Sequence, residues 1–442
     1  MEKLALLGGT PVISETPNEE LFKWPIITKE DEDAVMDIVR TNNFSGTDIT
    51  EKFQDEFAVW QGRRHALAFT NGTMSLTAAM FAVGLGAGDE IVCTTKTYWA
   101  SIVSAQWLGA SVVFCGINDM LSMDVDELEK CITPKTKAIM VVHYFGYPCD
   151  MDRIMAIAEK HGLLVIEDVS HAQGGMYKGK KLGNFGHVAA MSMMSGKAFA
   201  AGEMGMLVTD DRRIYERAIA FGHYERNNPS YIKESEDLAP YYHIALGGMK
   251  GRVNQVSAAL GRGQLKHYDA RCAEIRRAMN YFWDLLSDLK GIRGLRVDEA
   301  DGSHMGGFYC PHGIYDASAF GGLSLHRFCE ALTAEMGGTF ASWGGANYCL
   351  HTHGFFKTFD GFGIGKPMRV AFSDGDVPND EARLSASVEK KCFTVPWFKK
   401  YDKTWIERYA KAFRKVVENY EQLLESDGES ATDGRWHGTS NA

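Results

Sequence analysis

Between about residues 65 and 210, short apolar runs alternate with stretches whose apolar positions recur at helical spacing. The runs at 90–94, 111–116, 137–144, 162–168 and 204–209 read as strands, and 74–84, 98–108, 124–131 and 151–161 read as the helices between them. Such alternation predicts a mostly parallel sheet with crossover helices, the α/β class. Ligands of these sheets sit beyond the carboxyl ends of the strands. A long helical region rich in Arg and Lys follows, from Val253 to about Leu289, and turns are marked by Gly321-Gly322, Gly337-Gly338 and Gly344-Gly345. The expected division is a large domain over 1–265, a smaller C-terminal α/β domain over 266–425, and a polar, Gly/Ser-rich disordered tail over 426–442.

Composition narrows the class without naming the chemistry. With 442 residues, 45% hydrophobic and 24% charged, the chain can bury two cores. A formal net charge of −10, with basic pairs such as Arg212-Arg213 close to acids, argues against a nucleic-acid surface. Nine scattered cysteines without a CxxC pair fit reduced thiols better than a disulfide framework. The apolar run in Met1–Gly9 is short for a signal peptide, and no uncharged stretch reaches the length of a membrane span. The cytoplasm is the expected location.

Three segments carry candidate chemistry. Gly162-Leu163-Leu164-Val165-Ile166-Glu167-Asp168 ends an apolar strand on Asp168, with His171 three residues on. Met191-Ser192-Met193-Met194-Ser195-Gly196-Lys197 sets Lys197 among small and apolar residues, with no acid within five positions. Such a lysine can lose its proton and form an imine, although a surface lysine in a Gly-rich loop fits the segment as well. Thr70-Asn71-Gly72-Thr73 opens a helix whose free N–H groups can hold a phosphate, or it is a plain N-cap. Together they suggest pyridoxal 5′-phosphate (PLP): an aldehyde held by Lys197, a ring nitrogen against Asp168, and a phosphate at Gly72, Thr73 and Ser192. His171 is placed to reach the ring oxygen, or is a structural histidine. Tyr98 is a stacking candidate, with core packing as the bland reading for it and for Trp99. Gly84-Leu85-Gly86-Ala87-Gly88-Asp89 lies between a helix and a strand, so it reads as a C-cap and turn and not a dinucleotide loop. Cys349-Leu350-His351-Thr352-His353 lacks further metal ligands and is expected to be a substrate-facing loop; no metal site is expected.

Read together, these segments resemble the sugar aminotransferases of the DegT/DnrJ/EryC1/StrS family, over roughly residues 8–425. Shared landmarks are Leu7-Gly8-Gly9-Thr10-Pro11, Asn71-Gly72-Thr73, Gly88-Asp89-Glu90-Ile91, Thr136-Lys137-Ala138-Ile139, Glu167-Asp168, the Lys197 segment, Gly202-Glu203-Met204-Gly205 and Arg252 to Leu265. The resemblance implies a fold type I PLP-dependent transferase with a large seven-stranded-type sheet. It implies that Lys197 carries the cofactor and shuttles protons, with Asp168 on the pyridine nitrogen and Tyr98 on the ring. His171 would lie near the ring oxygen, and Gly72, Thr73 and Ser192 on the phosphate. Lys250 falls where many members place an Asn that reaches the neighbouring subunit's phosphate, so a homodimer with shared active sites is implied. Two departures stand out: Met204 replaces a usual glycine, and Lys250 adds a charge.

The implied reaction moves an amino group from L-glutamate or L-glutamine to a keto-sugar or keto-cyclitol. The alternative within the family is a PLP-dependent dehydratase or ring-aromatising enzyme; related sugar dehydratases carry histidine at the lysine position, whereas Lys197 is present here. The 224–245 loop and the Cys349–Phe356 loop are the expected specificity elements.

Overall fold

A computed structural model describes residues 2–428 of the chain. Its central sheet has seven strands: β1 (His65–Phe69), β2 (Glu90–Thr94), β3 (Ser111–Cys115), β4 (Thr136–Val142), β5 (Leu164–Asp168), β8 (Val188–Ser192) and β9 (Gly205–Thr209), with a small hairpin of β6 (Met176–Tyr177) and β7 (Lys180–Lys181) between β5 and β8. The order across the sheet is β1-β9-β8-β5-β4-β2-β3. β9 alone runs against its neighbours β1 and β8, while β3, β2, β4, β5 and β8 are parallel. The apolar strands are buried on both faces, as a helix-covered parallel sheet requires. The expected α/β architecture is therefore present. Two strands were not foreseen, β1 and β8, nor were the helices Lys29–Thr41 and Asp48–Gln61.

Local signals fix the ends of the elements around the site. Asn71 caps the helix Gly72–Ala82 by accepting the Met74 N–H at 2.8 Å, and this helix packs against β8, β9 and the helix Arg212–Gly222. Asp150 caps the helix Met151–His161 through the Arg153 N–H, and Gly162 ends it at φ 66°, a left-handed conformation that favours glycine. The next strand, β5, then runs to Asp168.

The helix Gln255–Asp284 contributes to two cores. Near its start, Ala258 packs with Phe53, Phe199 and Met204, and further on Ile275 and Phe282 join a second core. That second core surrounds the antiparallel strands β10 (Ile292–Gly294), β11 (His312–Tyr315) and β12 (Cys392–Thr394), with helices Leu325–Glu335 and Lys403–Glu418. Leu4, Ile13 and Leu21 of the N-terminal arm pack into it as well. The expected tail is described only at its start, where Asp427 accepts the Ser324 N–H at 2.7 Å and Ser426 accepts from Arg327; residues 429–442 lie outside the described residues.

Candidate active site

The carboxyl ends of β5 and β8, the start of the helix Gly72–Ala82 and the segments 309–312 and 343–347 border a cavity of about 390 Å³, a size suited to a small cofactor with substrate. Gly72, Thr73, Tyr98, Asp168, His171, Ser192 and Lys197 all line it. Lys250 does not; it is exposed, 6.0 Å from the ring of Tyr224.

Asp168 is 4% exposed. Its Oδ2 accepts the Ser101 hydroxyl at 2.7 Å and its Oδ1 accepts the Ser170 N–H at 3.0 Å. A carboxylate has about four lone-pair positions, so capacity for a further donor remains. The Ser170 hydroxyl in turn accepts the Ser192 N–H at 3.0 Å, tying β8 to the loop after β5.

Lys197 is 8% exposed, which settles its reading against a surface lysine. Its Nζ lies 4.2 Å from the centre of the Tyr309 ring. Burial pushes the amine down to about 8, only partly opposed by the Asp168 carboxylate and the Cys310 thiol. The loop that carries it is held by Lys197 N–H to Met194 O at 2.8 Å and by the Trp24 indole N–H on Lys197 O at 2.9 Å.

His171 sits between Tyr144 and Tyr309, at ring separations of 5.4 and 4.5 Å. Its Nδ1 accepts the Phe145 N–H at 3.1 Å, so the neutral ring carries its proton on Nε2. Burial, with Lys197 and His312 adding positive charge, holds its pKa well below the usual histidine range.

The turn at the helix start is built by close backbone approach. A Cβ on Gly72 would stand 2.5 Å from Ser192 Cβ and 2.7 Å from Ser192 Cα, and one on Gly205 would stand 2.3 Å from Asn71 O. Only glycines let the helix start rest on β8 and β9. The first-turn N–H groups of Gly72 and Thr73 have no intrahelical acceptor and carry the positive end of the helix dipole. These residues fit PLP: an anion cradle at one end, a buried carboxylate for the ring nitrogen, and a buried, partly deprotonated amine for the aldehyde.

Tyr98 borders the cavity half-buried and touches Trp99 at 4.9 Å between ring centres; Trp99 itself is 39% exposed, not a core residue. Met204 is fully buried in the core beside Phe199 and is not on the cavity wall, so it leaves the site's width alone. The expected substrate-facing loop is a correction: Cys349, Leu350, His351 and Phe356 are buried. Leu350 and Phe356 are apolar and find cover over the edge strand β3, with Phe356 5.1 Å from Phe114 and His351 Nδ1 2.6 Å from Thr95 Oγ1. Arg369 and Arg383, further along the same segment, donate to the β3 carbonyls of Val112 and Phe114 at 2.7 and 2.6 Å, covering that edge. Among the described residues no cluster of three or more His, Cys, Asp or Glu is arranged to hold a metal, and no helix is long and apolar enough to cross a membrane.

Sequence reasoning missed Ser101, Tyr309, Cys310, His312 and Asn347. The last four lie far along the chain, three at the entry to β11 and one after β12's partner segment at Trp343–Gly344, and Asn347 accepts the Tyr144 hydroxyl at 2.6 Å.

Fold and site together fit a PLP-dependent enzyme. The sequence profile described as the DegT/DnrJ/EryC1/StrS aminotransferase family matches residues 25–333, and the chain belongs to that family. It is 36% identical over 220 residues to a GDP-perosamine synthase of Escherichia coli O157:H7, covering 50% of this chain and 58% of the synthase. The chain thus spans under two thirds of that relative's length. It is 30% identical over 339 residues to a Micromonospora echinospora protein provisionally named L-glutamine:3-amino-2,3-dideoxy-scyllo-inosose aminotransferase, covering 76% of this chain and 78% of the relative. The crystal structure of an aminotransferase from Psychrobacter cryohalolentis superposes with a TM-score of 0.75 at 26% identity, over 91% of this chain and all (100%) of that one.

Proposed function

We propose that this chain transfers an amino group from L-glutamate or L-glutamine to a keto-sugar or keto-cyclitol, giving an amino sugar or aminocyclitol. The carrying observation is the buried Lys197 amine, lowered to about 8, in one cavity with Asp168 and the Gly72–Thr73 helix start. PLP, when bound, supplies the electron sink for the carbon that gives up its proton. Lys197 Nζ would hold the cofactor's aldehyde and, once displaced by the donor's amine, would be the group placed to move a proton. Asp168, fixed in place by Ser101 and Ser170, would keep the ring nitrogen protonated. His171 would offer Nε2–H to the ring oxygen, Tyr98 would cover the ring, and Gly72, Thr73 and Ser192 would hold the phosphate. Lys250, exposed in its own subunit, serves the partner's site in a homodimer. The sugar or cyclitol acceptor is supported by the names of the two relatives above. The cytoplasm is the proposed location.

The test is ¹⁵N transfer: PLP-loaded protein is given labelled L-glutamate or L-glutamine and a panel of nucleotide-linked 4-keto sugars and inososes. Label in an amino product supports the assignment. Water loss without consumption of an amino donor overturns it in favour of a dehydratase.

A further inference from the structure

Lys399 is 6% exposed, and among the described residues its Nζ has no hydrogen-bond partner. It lies against the face of Trp397 and 4.8 Å from the centre of the Trp24 ring, the two indoles being 6.4 Å apart. The titratable neighbours that bear on it are the thiols of Cys272 and Cys310, and burial pushes its amine well below the ordinary lysine value. A methionine would fill this space without the cost of desolvating an amine, a cost that contact with two aromatic faces offsets only in part. A lysine in this place calls for a role.

Both indoles lead to Lys197. Trp24 donates its N–H to the Lys197 carbonyl at 2.9 Å. Trp397 stands edge-on to Tyr309 at 5.8 Å and 90°, and Tyr309 lies beneath the Lys197 amine at 4.2 Å. Trp397 also donates its N–H to Gly307 O at 2.9 Å, and a Cβ on Gly307 would come within 2.7 Å of Ala198 Cβ, next to Lys197. The backbone of Lys399 closes the arrangement by donating to Leu21 O at 2.8 Å in the N-terminal arm. Arm, second core and lysine loop therefore meet at one side chain.

We propose that Lys399, gripped by Trp24 and Trp397, is a positioning residue that fixes the carbonyl and the amine of Lys197 in register. The assignment rests on Lys197 being the reactive lysine. The full-length variants K399M, K399R and W24F are compared with the parent protein, without cofactor and loaded with PLP. In the cofactor-free form, acetylation of Lys197 by acetic anhydride is followed against pH by peptide mass spectrometry; in the loaded form, kcat and KM for the amino-donor half-reaction are measured. For K399M and W24F the acetylation midpoint moves toward that of an ordinary lysine, and kcat falls about 10-fold with KM held, the scale of a small misplacement. K399R retains the parent profile. Parent-like acetylation and kcat in K399M overturn the proposal. If K399M does not fold, W24F decides by the same two readings, since it keeps a smaller aromatic ring beside Lys399 and removes the N–H that holds the Lys197 carbonyl. Failure of the underlying reading is separate: K197A that still turns over an amino donor would sink the role of Lys197 and leave the acetylation comparison standing.

Discussion

Adding one methyl group at Gly72 tests the phosphate turn. In Gly72→Ala the new Cβ would stand 2.5 Å from Ser192 Cβ, 2.7 Å from Ser192 Cα and 2.9 Å from its N, against about 3.5–4.0 Å for comfortable carbon contacts. Helix start and β8 must part by about 1 Å, and neither neighbour is a flexible side-chain tip, so the overpacking costs about 1–3 kcal/mol. The same separation breaks the cradle formed by Thr73 and Ser192, and PLP affinity falls about 10- to 100-fold if that energy is expressed in binding. Gly86→Ala is the control, because a Cβ there meets nothing within 4 Å. Thermal melting of the cofactor-free proteins gives the first quantity, and PLP titration followed by tryptophan fluorescence gives the second. A Gly72→Ala protein that melts and binds PLP like Gly86→Ala would refute the idea that close approach of turn to strand builds the site.

Other outcomes follow from the same geometry. In the cofactor-free protein Lys197 is half-modified by an amine reagent near pH 8, below about 10.4 for a free lysine; a profile matching the exposed lysines would contradict its burial. Ser101→Ala removes the hydroxyl that holds Asp168 Oδ2 at 2.7 Å, so the donor half-reaction slows about 10-fold, the worth of one hydrogen bond to a charge; an unchanged rate would remove Ser101 from the site. Glu167→Gln destabilises the fold by about 3–5 kcal/mol, because the buried carboxylate accepts N–H groups from Gly183, Phe185 and Gly186 and faces His143 Nε2. Burial alone would raise Glu167, but His143 and the backbone N–H groups outweigh it and hold its pKa below the ordinary value. That contribution is thus complete above about pH 4.3, the free glutamate value, and is lost as pH falls through the lower folded one. Urea melts at several pH values should show the gap between parent and Glu167→Gln closing in acid; a gap independent of pH would contradict the linkage.

Much of the large sheet was legible because its parallel strands are continuous apolar runs separated by helices with clear stops, such as Gly162 after His161. β8 was not, since Val188-Ala189-Ala190-Met191-Ser192 has one β-branched residue and no alternation; only its pairing between β5 and β9 makes it a strand. The helix Lys29–Thr41 does leave a signal, the Thr28–Asp31 capping box, a weaker one because it uses Asp in place of the commoner Glu. In the site, Asp168 and Lys197 could be found because each stands out locally, as a strand-end acid and as a lysine with no acid nearby. Tyr309, His312 and Asn347 could not, because nothing in their own segments signals a site and only tertiary packing brings them there. The Cys349–Phe356 segment misled for a related reason: its polar Cys-His-Thr-His face suggested chemistry, while Leu350 and Phe356 fixed its place over β3. Trp24 lies 173 positions from the carbonyl it holds, beyond the reach of any pattern.

The central claim is that Lys197 and Asp168 make a PLP site for amino transfer. The most direct test is the visible spectrum of the PLP-supplied protein before and after L-glutamate or L-glutamine, with Lys197→Ala alongside. A band of lysine-bound cofactor that the donor replaces with that of the pyridoxamine form, and that Lys197→Ala lacks, is the expected result. A protein that takes up no PLP, or a Lys197→Ala variant that shows the same band and the same response to donor, would contradict it.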